Sequence, residues 1–212
     1  MNIDPATLSA ADSYKLLTNL IVPRPIAWVT TINEIGVVNL APFSFFNAVG
    51  SDPLQLMISV GTRDDDSQKD TAANISRSSE FVVNMVTEEL MAAMNISAAE
   101  FPSHISELEA TGLHAAPSDK VNVPCVAESK VSFECVLRGK LPVGSSTIFV
   151  GEVVMMHVAD QLVGPRFHIN GFVPIGRLGS PSAYCRTNDR FELARVSYDI
   201  LTKKSGVRIS SD

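Results

Sequence analysis

The chain has 212 residues, 45% of them hydrophobic and 19% charged, with a formal net charge of −6. That length allows one domain or at most two, and the apolar share supplies a full core and argues against disorder. The acidic balance, with no basic run longer than Lys203–Lys204, disfavours nucleic acid, whose backbone is bound by clustered Lys and Arg.

The N-terminus, MNIDPATLSAADSYKLL, has no basic start leading into an apolar stretch, so no signal peptide is expected. No apolar run approaches the roughly 18 residues of a membrane span. Cys125, Cys135 and Cys185 are odd in number and at no metal-like spacing, which suits a reducing cytoplasm better than a disulfide scaffold. A cytoplasmic protein with no membrane partner is expected.

The pattern predicts a first helix over Leu8–Asn19, capped by Ser9 or Asp12, with Tyr14, Leu16, Leu17 and Leu20 as its apolar face. Pro23 and Pro25 bracket Arg24 and stop any helix. Ile26–Ile32 reads as a strand, 33–36 as a turn and Val37–Leu40 as the returning strand of a hairpin. Pro42 removes a ladder donor, so the backbone beyond it is expected to leave the sheet. Leu54–Val60 is a third strand, Asp70–Ser78 a short helix, and Phe81–Val86 a valine-rich strand buried on both faces. A helix over Glu88–Asn95 follows, then a polar excursion with Pro102 and His104. Lys130–Arg138 and Thr147–Val158 are longer alternating strands, with Cys135 a core thiol. Gly151 inside the second suggests a bulge or a close backbone approach. The polar tail, 203–212, is expected to be mobile. Many strands, few helices and hairpin connections predict a mainly β fold: one domain over 1–212, an antiparallel barrel with peripheral helices.

Two segments carry chemistry. KDTAANI, from Lys69 to Ile75, places a lysine, an acid and a hydroxyl at a helix start, where unpaired N–H groups and the peptide dipole favour an anion such as phosphate. An ordinary capped helix, with Asp70 as N-cap, explains the same residues. NLAPFSFFN, Asn39 to Asn47, is too aromatic and irregular for a plain strand. Backbone groups exposed beside Phe43 and Phe45 suit the edge of a flat heteroaromatic ring, although the aromatics taken singly are equally core residues. Thr30 and Thr31 point to opposite faces, and one of them faces the interior or a ligand. Arg63 can reach a phosphate, while 64–66 read as a solvated acidic loop. His104, His114, His157 and His168 match no metal spacing. There is no nucleophile elbow, no P-loop and no Gly-rich dinucleotide fingerprint. The lack of an acid, base or nucleophile cluster fits chemistry carried by an organic cofactor.

Together, YKLLTNLIVPRPIAWVTT, GVVNLAPFSFFNAVGSDPLQLMISV, KDTAANI followed by FVVN, IFVGEVVMMHV and IGRLGSPSAY resemble the flavin reductase-like family, in order and spacing, from about Tyr14 to about Leu193. The resemblance implies an FMN-binding split barrel of Greek-key topology that forms a homodimer. FMN, ahead of FAD, is the implied cofactor, and NAD(P)H a co-substrate. A monooxygenase or other electron acceptor is the implied partner. Thr30, Ala41, Pro42, Phe43, Ser44 and Asn47 would line the flavin. Arg63, Lys69 and Thr71 would hold its phosphate, with Asp70 capping the helix. Arg177 and Tyr184 would close over the site. No side-chain catalyst is implied.

One departure stands out. Nicotinamide-using members often carry Gly-Asp-His before the late strand, where this chain reads Gly144-Ser145-Ser146-Thr147. His157 is too far along the strand to replace the missing histidine. The flavin site carries over, the nicotinamide donor less directly, and a flavin-binding electron carrier or flavin store stands as the alternative. A pyridoxamine-phosphate-oxidase-like barrel is disfavoured, since only Arg63 and Lys69 flank the phosphate segment.

Overall fold

The computed structural model describes residues 1–179 and 181–198, so the tail segment 203–212 lies outside the described residues. Helix α1 (Ala10–Leu20) starts at Ser9, whose Oγ accepts from the Asp12 amide at 3.1 Å and donates to Asp12 Oδ2 at 2.7 Å. Such reciprocal capping satisfies an orphan helix donor and favours acid in the first turn. Of the expected apolar face, Leu16 is half-buried while Tyr14, Leu17 and Leu20 are exposed, and Thr18 is the buried residue of the helix.

Strands β1 (Arg24–Pro25), β2 (Ala27–Ile32) and β3 (Val38–Phe43) follow. The β2–β3 turn is held by Asn33, whose Oδ1 accepts from the amides of Ile35 and Val37, and by Gly36 at φ 86°. Contrary to expectation, Pro42 does not end the strand. It pairs with Trp28, and Phe43 pairs with Ala27. Strand β3 is an end strand of its sheet, where a missing N–H on the outer side costs no ladder bond. The chain then bends at Ser44–Phe45 into β4 (Phe46–Ser51), a strand hidden in the sequence by its aromatic run and Gly50, and pairs back with β5 (Leu54–Gly61).

Helix α2 (Asp70–Ser78) leads to β6 (Glu80–Met85), α3 (Met91–Ile96), the short α4 (Glu107–Ala110), and the strand pair β7 (Ala115–Ala116) and β8 (Cys125–Val126). The hairpin of β9 (Val131–Val143) and β10 (Ser146–Val158) is longer than the sequence suggested. The segments β11 (Ile175–Arg177) and β12 (Tyr184–Arg186) complete a small sheet with β1.

Seven strands form one antiparallel sheet in the order β3-β2-β6-β9-β10-β5-β4, and β3 and β5 come into contact, so the sheet curls on itself. Inside it lie Val29, Ile58, Val60, Phe81, Val83, Cys135 and Phe149. Burial pushes the Cys135 thiol far up, as expected of an inert core cysteine. Gly151 is where a Cβ would stand 2.5 Å from Phe81 Cζ, and the β9–β10 register shifts beside it. A second cluster of Trp28, Leu40, Val86, Met94, Leu108 and Ile175 fills the outer face of β2 beneath α3, α4 and β11. There Trp28 Nε1 donates to Ser97 Oγ at 2.8 Å. No helix among the described residues is long and apolar enough to cross a membrane.

On β9, the fully buried carboxylate of Glu134 accepts from the amides of Asp119, Lys120 and Val121 and meets His157 Nε2 at 2.5 Å. Burial opposes ionisation of Glu134, but the amides and His157 outweigh it and hold its pKa below the ordinary value. Asp119, Glu134 and His157 thus meet with ligand atoms within 4.8 Å, although histidine spacing alone gave no sign of it. With Glu134 fully engaged by protein donors, the group serves as a clamp that fixes loop 117–124 to the barrel.

Candidate functional site

The bend between β3 and β4 opens a groove. Three depressions of about 90, 330 and 260 Å³ share Pro42 and Phe43 and so form one continuous surface. The bend exists because β3 must leave its partner to enter the far end of the same sheet, and Pro42–Phe45 is the crossing.

The narrow end is built by the start of α2. Lys69 is the N-cap residue, extended at φ −68° and ψ 149°, and makes no side-chain capping bond. The expectation that Asp70 caps the helix is corrected: Asp70 is the first helical residue, and its carboxylate instead pairs with Arg63 Nη2 at 2.8 Å. An acid one position inside the helix suits the dipole but cannot reach back to the N2 and N3 amides. Thr71 is 1% exposed, and its hydroxyl accepts from Asn39 Nδ2 at 3.0 Å. Arg63, Lys69, Asp70 and Thr71 line this end with Ala41, Pro42 and Phe43, so the fold brings together all the residues expected around a phosphate.

Glu107 of α4 also lines it. Its Oε2 accepts from the Leu40 amide at 2.9 Å. Burial raises its pKa, partly offset by the Leu40 amide, and the charge of Asp70 adds to the rise. Sequence reading missed Glu107 because a four-residue helix in a polar stretch shows no periodicity.

The wide end contains Ser44, Arg177 and Tyr184, as expected, together with Tyr14, Arg24 and Met94. The guanidinium of Arg24 reaches the carbonyls of Thr18, Ile21 and Leu178 and the hydroxyl of Ser44. It thereby fixes α1, the bend and the segment after β11 around one group. The Pro-Arg-Pro bracket signalled a chain stop in the sequence, not this role. The third depression adds Phe45, Ser59, Gly61 and Ser146.

Two expected residues lie elsewhere. Thr30 is fully buried and donates to the Pro124 carbonyl at 2.7 Å, behind the sheet. Its neighbour Thr31 accepts from Asn74 of α2 at 3.0 Å. Asn47 is exposed on β4 and lines none of the three depressions. Strand alternation decides both cases.

The model of the flavin reductase like domain matches residues 19–190. A protein of Aquifex aeolicus is 46% identical over 168 residues, covering 78% of this chain and 86% of that one. The structure superposes on nitrilotriacetate monooxygenase component B of Bacillus cereus with a TM-score of 0.87 at 37% identity, covering 91% of this chain and 98% of the other. It superposes on the 2-nitrobenzoate 2-nitroreductase of Pseudomonas fluorescens with a TM-score of 0.84 at 35% identity, covering 93% and 98%. At 16% identity, flavoredoxin of Desulfovibrio vulgaris shares the split-barrel fold, with a TM-score of 0.73 over 92% and 97%. A family model spanning most of the chain, on a barrel of this topology, places the protein in the flavin reductase-like family.

Proposed function

We propose that the chain is a flavoprotein oxidoreductase that binds FMN, ahead of FAD, in the groove around Pro42–Ser44. The observation that carries this is the opening of the α2 N-terminus, with Lys69 and Thr71, into the same groove as the β3–β4 bend. The donor set suits a phosphate. Lys69 has no ion-pair partner among the described residues, the Thr71 hydroxyl retains its proton for a ligand, and the first amides of α2 lack helical acceptors. Asp70 is already balanced by Arg63. When bound, the flavin supplies the two-electron chemistry.

The chain's own part is to hold and shelter the cofactor. Lys69, Thr71 and Arg63 fix the phosphate end. Ala41, Pro42, Phe43 and Ser44 present backbone and apolar surface to the ring, and Arg177 with Tyr184 bounds the far end. Thr30 supports the β2 backbone from behind, and Asn47 projects outward. Electrons would come from NAD(P)H or a small carrier and pass to flavin, iron or a partner enzyme. The likeness to a monooxygenase component B makes a monooxygenase a natural acceptor. We further read the whole chain as one cytoplasmic domain that forms a homodimer. The exposed Tyr14, Leu17 and Leu20 of α1, with Tyr14 6.3 Å from the Phe45 ring beside the groove, would be covered by the second copy.

A second reading, a flavin-binding electron carrier or store, is favoured by the β9–β10 tip. Ser146 there lines the groove, in the segment where nicotinamide-using relatives carry a histidine. The absorption spectrum of the purified protein titrated with FMN tests the first reading, since failure to take up flavin removes it. Anaerobic NADH or NADPH then separates the two: bleaching of the bound flavin indicates turnover, and its persistence indicates a carrier.

A further inference from the structure

The long β9–β10 hairpin and loop 117–124 bring three metal-ligand side chains to one point, away from the groove. On the hairpin, Glu134 pairs with Met155 and His157 pairs with Ser132. The acid and the imidazole are therefore diagonal neighbours on one face, a spacing that long side chains bridge. Asp119 comes from the loop. Each of the three offers one ligand atom, and these atoms lie within 4.8 Å of one another. None of the three residues lines the depressions around Pro42 and Phe43.

The charges at this point do not balance. Burial opposes ionisation of the fully buried Glu134, yet the loop amides and His157 keep it charged. Burial also raises the Cys125 pKa, and the charges of Glu134 and Asp119 add to the rise, so both carboxylates project toward the same thiol. Among the described residues no lysine or arginine forms an ion pair with either acid. Two carboxylates thus face one imidazole, whereas buried charge is ordinarily paired or bound to metal. Backbone N–H dipoles offset part of that charge; a divalent cation matches all of it.

One contact is open to exchange. Glu134 Oε2 accepts from the amides of Lys120 at 2.6 Å and Val121 at 3.0 Å, and Oε1 from the Asp119 amide at 2.8 Å. Those three bonds stay. The fourth, Oε1 to His157 Nε2 at 2.5 Å, can be replaced, because a metal ion can stand where the ring proton lies. Ligand atoms of a tetrahedral zinc site stand about 3.4 Å apart, so the imidazole needs to swing out by about 1 Å. Its side chain is 35% exposed, which leaves solvent on the outer side. Asp119 is exposed and closes from the loop. One imidazole nitrogen with two carboxylate oxygens suits Zn²⁺ rather than Mg²⁺ or Ca²⁺, which take all-oxygen sets.

We propose that Asp119, Glu134 and His157 form a site for a divalent transition metal of the zinc class. His157 binds through Nε2 and keeps its proton on Nδ1, and a water completes the four ligands. The metal locks loop 117–124 onto the hairpin. That loop supplies the Pro124 carbonyl to Thr30 and Val121 and Val123 to a core cluster, so the lock reaches the support of β2. The site is independent of the flavin reading.

Calorimetry of the metal-free full chain is expected to show one Zn²⁺ bound per chain on adding ZnCl2 and no comparable binding of MgCl2. Hydrogen exchange at the amides of Asp119, Lys120 and Val121 should slow at saturating zinc. His157→Gln keeps a donor for Glu134 but lacks the imidazole, and should weaken zinc at least about tenfold. Asp119→Asn leaves the backbone bonds in place and should weaken it likewise. Failure of the unaltered protein to bind zinc stoichiometrically overturns the proposal, and that measurement needs no variant to fold. Equal binding of magnesium overturns it as well, as does a zinc affinity unchanged in either variant, or unchanged exchange at the three amides.

Discussion

Asn39 Nδ2 donates to Thr71 Oγ1 at 3.0 Å, tying the edge of β3 to the first turn of α2. Because the threonine oxygen accepts this bond, its own proton is directed to another acceptor, and the groove lies beside it. Thr71→Val should therefore act twice. It weakens FMN by removing a donor, and it leaves the buried Asn39 amide unpaired, at about 1–3 kcal/mol of stability. Urea unfolding monitored beside FMN titration checks both; an unchanged unfolding midpoint would show the Asn39 bond to be dispensable.

Lys69→Ala should separate two flavins. A charge-assisted hydrogen bond is worth roughly 1.5–3 kcal/mol, so FMN affinity should fall about ten- to a hundredfold while riboflavin, which lacks the phosphate, hardly changes. Equal losses for both would move the phosphate away from the α2 start, with Arg63 the next candidate.

Asp70→Ala is expected to tighten FMN. The substitution removes a carboxylate from the narrow end and releases Arg63 Nη2. The pair is partly exposed, so stability should change by no more than about 1 kcal/mol. Weaker FMN binding in this variant would mean that Arg63 is useful only when the carboxylate holds it in place.

Glu107→Gln tests a buried carboxyl. A raised folded pKa means that the neutral form is favoured on folding, so its contribution is complete below the ordinary value of 4.5 and is lost as pH rises through the folded value. The glutamine variant stays neutral and keeps an acceptor for the Leu40 amide. Its unfolding midpoint should match the parent's in acid and exceed it increasingly toward neutral pH. A constant offset at every pH would contradict the shift.

Gly151→Ala should destabilise by about 1–3 kcal/mol or more, the scale of an overpacked core. Its new methyl would meet Phe81 Cζ at 2.5 Å and Cys135 Cβ at 3.1 Å, both fully buried in the barrel core. Thermal melting measures it, and the companion change Phe81→Leu should return part of the loss.

Strands β2, β5 and β6 were legible because short β-branched and apolar runs between turn residues mark a strand, alternating in β5 and buried throughout in β2 and β6, and the interior bulge of β10 was legible from Gly151. The Lys69–Thr71 end was legible for a similar reason, since a helix start is a local event. What escaped was non-local. Pro42 reads as a strand breaker unless β3 is known to be an end strand. The capping role expected of Asp70 depends on one residue of register, and the Arg63 side chain settled where its charge went. Thr30 and Asn47 belong to the right segments but face the wrong way for the groove. Arg24 gathers Thr18, Ile21, Ser44 and Leu178, and that last contact spans most of the sequence. No window along the chain contains such an arrangement.

The chain's single tryptophan, Trp28, is fully buried, and its Nε1 is bonded to Ser97, which lines the narrow end of the groove. One fluorophore thus stands a single hydrogen bond from the surface where a ligand would settle. A yellow chromophore in the groove would absorb in the range where indole emits, and any shift of Ser97 would alter the polarity that the indole senses. The protein therefore carries its own optical gauge of occupancy. Quenching of that emission on adding FMN can be followed without a label, while the same signal in denaturant follows the unfolding of β2.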